Sequence, residues 1–219
     1  MEREPLVIIV AGDAQARRSL AARVKGLGLA VKPCHSAEEF FALTAPAGGG
    51  CILLDVSQPA ADLELLRRLG PAEVHLPVIG ISERASVPTA VEAMKLGALD
   101  FLEASCPDRR LAKALEDAFR WEAEHRRQIA LVERIRRRRD LLSPGCRQVL
   151  DLIVAGRSNC EMAEELALSV RAVEERRGKV MRTMRARSLA ELVRLALTAE
   201  GGGPSYRQRS EGRESAVSG

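Results

Sequence analysis

The sequence predicts an α/β domain built as a doubly wound five-stranded parallel sheet, followed by a small all-α unit of four helices. Three observations carry this. Five short apolar runs alternate with helical patterns between residues 6 and 104, the signature of a parallel sheet covered on both faces. Residues 140–199 have helical periodicity and no strand signal. The chain has 219 residues, 46% of them hydrophobic, which suits one or two domains with ordinary cores.

The first strand is LVIIVA, and DAQARRSLAARVKGLG follows it as a helix with Leu20, Val24 and Leu27 on one face and Gly28 as its stop. LAVKPC is a short second strand. In SAEEFFAL, Ser36 and Glu39 stand at capping-box spacing and open the second helix. CILLDV is too apolar for an edge strand. DLELLRRLG is a helix ended by glycine, PVIGIS a fourth strand, SVPTAVEAMKLG a helix starting near Ser86, and ALDFLEA a fifth strand. Right-handed crossovers then give the doubly wound order.

From Asp108 to residue 143 no Pro or Gly interrupts a long helix, with Leu111, Leu115 and Phe119 on its packed face. Ile129, Val132 and Ile135 continue the stripe, in imperfect heptads that suit a helical linker able to pair with a second copy. CRQVLDLIVAG is a helix stopped by Gly156, SNCEMAEELAL opens with the Ser158–Glu161 capping box, SVRAVEERRGKVMRTM follows after a tight turn with Ser169 as cap, and SLAELVRLALTA closes the set. Two short helices across a tight turn, the second rich in Arg and Lys, form a helix-turn-helix. The expected organisation is a sheet domain at 1–120, a helical basic linker at 121–139, the helix-turn-helix domain at 140–199 and a disordered tail at 200–219.

Net charge is +4 but unevenly spread. Residues 1–119 hold 13 Lys/Arg against 16 Asp/Glu, residues 120–139 hold 8 against 3, and residues 140–199 hold 10 against 8. This asymmetry points only weakly to a polyanion partner for the second half, and without a motif a solvated basic helix is the preferred reading. The start, MEREPL, lacks the apolar core of a signal peptide, and no run approaches a membrane span, so a cytoplasmic protein without a membrane partner is expected. The five cysteines (34, 51, 106, 146 and 160) form no CxxC pair and the three histidines are scattered, so buried small side chains are expected rather than metal or disulfide sites.

In such sheets ligands collect at the carboxyl ends of the strands. Those ends supply Asp13, Asp55, Ser82 and the stretch Phe101–Ser105. Asp55 follows four apolar residues, and position alone leaves it open as nucleophile, metal ligand or helix cap. CILLDVSQP, LPVIGIS and VPTAVEAMKLGALDFLEA resemble the receiver domain of two-component response regulators, the FixJ type especially, over nearly all of residues 6–120. The resemblance implies a flavodoxin-like receiver fold. It implies Asp55 as phosphoacceptor from a histidine kinase, Ser82 as the hydroxyl facing the phosphoryl oxygens, and Phe101 as the aromatic switch.

The sequence departs from that pattern at three places. Ala11 and Gly12 stand where the family places two adjacent acids for Mg²⁺, Ala104 stands at the lysine position, and a glycine after Asp62 is missing. Mg²⁺ wants oxygen ligands in near-octahedral array, so only Asp13 and Asp55 remain to hold it, a weak site. Phosphoryl transfer depends on positioning and charge neutralisation; losing about 3 kcal/mol slows it about a hundredfold. Impaired or absent Mg²⁺-dependent phosphorylation is the expectation.

The segment LSPGCRQVLDLIVAGRSNCEMAEELALSVRAVEERRGKVMRTMRARSLAELVRLAL resembles the LuxR/FixJ-type DNA-binding domain throughout. Its departures are Gly145-Cys146 for Arg-Glu, Cys160 for lysine and Arg176 for histidine. At about 100° per residue, Val173, Val180 and Met184 fall inward. Arg171, Glu174, Glu175, Gly178, Arg182 and Arg185 lie opposite, on the face that can enter a major groove. Arg171 and Lys179 suit phosphates, and a glutamate can accept from cytosine N4. Arg177 falls nearer the packed side as an internal or snorkelling group. Ser158 and Asn159 open the scaffold helix, whose backbone amides suit a phosphate.

The leading reading is a transcriptional response regulator that binds double-stranded promoter DNA. The resemblance implies a homodimer formed through the receiver at Ala90–Lys95 and Asp108–Phe119. The alternatives are a pseudo-receiver set by a protein partner or ligand, and an interaction scaffold that does not bind DNA. An enzyme is not expected, since no Ser-His-Asp or Cys-His set, phosphate loop or metal cluster occurs. Cys106 beside the pocket leaves a redox role as a further idea.

Overall fold

In a computed structural model, the described residues are 5–43, 49–69, 72 and 74–200. They form two compact units that divide between Arg126 and Arg127. The expected tail, 201–219, lies outside the described residues, whereas Glu200 still belongs to the last helix.

The first unit runs β1 (Leu6–Val10), α1 (Ala14–Gly26), β2 (Ala30–Cys34), α2 (Ala37–Ala42), β3 (Gly50–Asp55), α3 (Pro59–Leu69), β4 (Val78–Ser82), α4 (Val87–Lys95), β5 (Asp100–Glu103) and the start of α5 (Asp108–Asp140). The strands pair in the order β2-β1-β3-β4-β5, all parallel, as the alternating pattern predicts. Side chains of a strand alternate between faces. Val7, Ile9, Cys51 and Leu53 therefore pack with Leu20 and Val24 of α1 and Leu111 and Leu115 of α5. Ile8, Val10, Ile52 and Leu54 pack on the other face with Phe40, Leu63, Leu66 and Ala93 of α2–α4. This two-sided burial is why CILLD reads as a continuous apolar run. Pro33 is tolerated because β2 is an edge strand, paired only with β1.

Local signals set the helix starts. Ser86 Oγ accepts the Thr89 amide at the head of α4. At α2 the capping box is half made: Ser36 Oγ accepts from the Glu39 amide at 3.2 Å, but the Glu39 carboxylate reaches past Ser36 to the His35 amide and Nδ1, both at 2.6 Å. A second donor on His35 draws it one residue further.

The second unit holds the end of α5, α6 (Pro144–Val154), α7 (Asn159–Glu165), α8 (Val170–Met184) and α9 (Leu189–Glu200). Its core gathers Ile135, Val149, Leu150, Met162, Val173, Val180, Met184 and Leu192. The full Ser158–Glu161 capping box opens α7, and Ser169 Oγ caps α8 on the Ala172 amide. Ala167, in the tight turn between them, adopts a left-handed φ of 51°.

The residues expected as a linker are divided between the units: Trp121 to Arg126 belong to the first and Arg127 onward to the second. Three arginines of the basic run make contacts within the second unit. Arg136 Nε donates to the carbonyl of Ala199 at 3.1 Å, and Arg138 Nη1 to that of Met184 at 3.2 Å. Arg139 pairs with Asp151 and Glu200. These arginines satisfy carbonyls at the ends of α8 and α9, where cations complement the helix dipole. Among the described residues, no helix is long and apolar enough to cross a membrane.

Candidate functional site

Asp55 ends β3 and is 5% exposed. Its neighbour Ser82 ends β4 and is 2% exposed. Strand pairing sets both depths, since Asp55 lies opposite Ile81 in register. The Ser57 hydroxyl lies 2.8 Å from both carboxylate oxygens of Asp55 and donates to them. Burial raises the Asp55 carboxyl above the ordinary carboxylate range, Ser57 draws it back, and the charges of Asp62, Glu83 and Asp13 push it up again. Ser82 Oγ accepts the Arg84 amide at 3.3 Å.

A cavity of 640 Å³ opens beside Asp55, lined among others by Glu83, Ala104, Ser105, Cys106 and Arg23. Among the described residues, Arg23 is its one cationic lining residue, and it is already engaged. Its Nη1 donates to the Ala104 carbonyl and its Nη2 to the Cys106 carbonyl, both at 2.7 Å, while Nε pairs with Asp108 at 2.9 Å. Arg23 thus ties α1 to the loop after β5. Cys106 Sγ is 3.9 Å from the same guanidinium.

Asp13 does not line this cavity. Its carboxylate caps α1, accepting the Ala16 amide at 2.6 Å, and its side chain is exposed. The Arg17 guanidinium donates to the carbonyls of Ala11 and Gly12 at 2.6 and 3.2 Å. A fixed cation therefore sits on the end of β1. Asp62 accepts the Gln58 amide at 2.6 Å at the head of α3, and its charge acts on Asp55 from there. Phe101 is half-buried on the α2–α4 face, its ring against the β4 backbone: a Cβ on Gly80 would lie 2.5 Å from its Cδ2.

On α8, Val173, Val180 and Met184 are fully buried and Arg171, Glu174, Glu175, Lys179 and Arg182 are exposed, as the helical wheel predicts. Lys179 pairs with Glu175 at 3.2 Å, and the Arg182 guanidinium lies against Gly178. Arg177 donates to Asn159 Oδ1, clasping α8 to α7, so its internal role holds and Asn159 is engaged within the domain. Of the backbone amides at the head of α7, that of Ser158 donates to Glu161 Oε2 at 2.8 Å and that of Glu161 to Ser158 Oγ at 3.3 Å. Gly145 and Arg176 are complementary, since a Cβ at 145 would lie 2.7 Å from Arg176 Nη1. Cys34, Cys51 and Cys146 are buried as expected, while Cys160 is exposed.

Sequence reasoning missed Glu83, Ser57 and Arg23. Glu83 and Ser57 were within reach, one residue beyond Ser82 and two beyond Asp55 at the same strand ends. Arg23 lies some eighty residues from the loop it holds, and no local signal announces it.

The family model for the response regulator receiver domain matches residues 7–116, and that for the bacterial regulatory proteins of the luxR family matches residues 140–196. The chain is 40% identical over 200 residues to the transcriptional regulatory protein FixJ of Rhizobium meliloti (strain 1021), covering 91% of this chain and 98% of that one. It is 41% identical over 194 residues to FixJ of Azorhizobium caulinodans, covering 88% and 92%. Among solved structures, it resembles response regulator StyR with a TM-score of 0.72 and 29% identity, covering 89% of this chain and 98% of that one. Full-length FixJ from B. japonicum matches with a TM-score of 0.52 and 36% identity, covering 90% and 98%.

Proposed function

The chain belongs to the FixJ-like transcriptional response regulators, with a receiver and a LuxR-type DNA-binding domain, and on that premise we propose that its receiver is set without Mg²⁺-dependent phosphorylation of Asp55. The observation that carries this is the company of Asp55: a buried carboxylate raised by its own burial and by three acids, held by the Ser57 hydroxyl.

The Mg²⁺ that the family implies does not fit the residues present. Ala11 and Gly12 offer no carboxylate, Asp13 caps α1, and Arg17 holds a positive charge on the β1 end. Among the described residues, no group of three or more His, Cys, Asp and Glu is placed to hold a metal ion. Among those same residues the cavity also lacks a free cation to meet a phosphoryl group, because Arg23 is bound to its own loop.

In this reading a protein partner or ligand biases the receiver, and the output is a homodimer bound to promoter DNA through the α8 face. The exposed Val87 and Val91 of α4, 78% and 46% accessible, support a receiver surface for pairing. The retention of Asp55 and Ser82 side by side favours a second reading, a slow phosphoacceptor served by a histidine kinase.

Intact-mass measurement after incubation with Mg²⁺ and acetyl phosphate separates the two. The proposal expects no adduct on folded protein. A phosphoryl adduct that disappears in Asp55→Asn establishes the second reading.

A further inference from the structure

A cluster of titratable groups lies at the opposite end of the sheet from Asp55, where α5 leaves the first unit. His125 is 5% exposed, and among the described residues its Nε2 has no hydrogen-bond partner. Trp121, one helical turn earlier, stacks on its ring with centroids 4.5 Å apart and planes 15° apart. His75, on the segment leading into β4, approaches from the other element at 5.5 Å between centroids. Glu122 is 8% exposed on the same helix, with Arg126 Nε 3.5 Å from its carboxylate. Gly49, just before β3, faces that carboxylate so closely that a Cβ there would overlap it. The groups that face His125 and its helix turn are thus His75 from the β4 approach and Trp121, Glu122 and Arg126 from α5.

This arrangement suits a neutral imidazole and penalises a charged one. A protonated ring carries two N–H donors, and here one points into a site where no described residue accepts it. Burial and the neighbouring His75 both hold His125 below the ordinary histidine range. The Trp121 face attracts a cation, but only while the stack stays closed. Glu122 works in the opposite sense: burial raises its carboxyl and Arg126 draws it back, and on acidification it loses charge where His125 gains it. His125 is therefore the group whose charging opposes closure.

We propose that His125 is a proton-operated latch. Neutral, it packs α5 against His75 at the base of the receiver with the Trp121 ring stacked behind it; protonated, it leaves that packing and releases the helix from Trp121 onward. The residue after the latch region, Arg127, opens the DNA-binding unit, so the released segment is the one that leads directly to the output. This input does not use Asp55 and stands or falls independently of its phosphorylation.

The chain carries a single tryptophan and three histidines, so its own fluorescence reads the latch. In the full-length protein, Trp121 emission titrated from about pH 8 to about pH 5 should change in one step with its midpoint below the ordinary histidine value. Amide exchange over residues 121–126 should rise about tenfold across the same step. His125→Phe keeps a ring in the stack without a proton to gain, and should abolish both changes. His75→Gln should move the midpoint upward, and it serves as the second variant if His125→Phe does not fold. Flat emission in the parent protein, a step that survives in His125→Phe, or a midpoint unmoved in His75→Gln overturns the proposal.

Discussion

The strand-end pocket and the α8 face are both polar surfaces on well-packed units, yet they differ in what surrounds their central residues. Asp55 and Ser82 keep their places in the sheet, but among the described residues the groups that would support phosphoryl transfer are missing or engaged elsewhere: Asp13 caps a helix, Arg17 and Arg23 bind backbone carbonyls, and Glu83 adds a negative charge. On α8 the buried side holds Val173, Val180 and Met184, the α7 clasp is made by Arg177 and Asn159, and the outward arginines remain exposed. The core is preserved in both units. Only the polar shell separates them, and it is that shell on which function depends.

The largest expected effect breaks the output side. Replacing Arg171 and Arg182 together by Ala should weaken DNA binding by about 1–3 kcal/mol per side chain and lower the salt dependence by about one counterion for each phosphate that is no longer neutralised. Fluorescence anisotropy on promoter DNA across a salt series measures both. An unchanged salt slope would mean that neither arginine touches a phosphate.

A smaller effect tests the pocket side. Gly80→Ala places a methyl against the Phe101 ring and should destabilise the receiver by about 1–3 kcal/mol, as overpacking does. Phe101→Ala in the same chain should recover part of that loss, because it removes the clash. Additive losses in urea unfolding would show that the two residues do not touch.

The smallest effect sharpens the picture of Asp55. Its carboxyl is raised in the folded state, so the folded protein holds the proton to higher pH than the unfolded chain. The charged form then opposes folding, with the penalty growing as pH rises through the ordinary carboxylate value and complete above the folded value. Asp55→Asn should raise the melting temperature at neutral pH, and this gain should fade as pH falls below the ordinary carboxylate value. A gain that grows on acidification would reverse the sign argued here.

Much of this was legible in the sequence because it is periodic or local. The apolar runs marked both faces of the sheet, the 3.6-residue repeat marked the buried side of α8, and Ser158, Ser169 and Ser86 marked helix starts that the structure shows. What escaped depends on contacts between distant segments. Nothing near Arg136 or Arg138 indicates that they reach the carbonyls of Ala199 and Met184, so a run with structural contacts reads only as a basic linker helix. Likewise Asp13 reads as a pocket acid until its amide partner at Ala16 is seen. The departures at Ala11, Gly12 and Ala104 were visible as missing residues, but the groups facing Asp55 in their stead were not.

If the output does not wait on phosphorylation of Asp55, promoter affinity should be blind to a phosphodonor. That affinity should be measured for the parent protein and for Asp55→Asn, each with and without acetyl phosphate and Mg²⁺, at one fixed salt concentration. The four values should agree within about twofold, well under the tenfold that about 1.4 kcal/mol represents. A phosphodonor-dependent gain of about tenfold or more in the parent, absent in Asp55→Asn, would contradict phosphorylation-independent control.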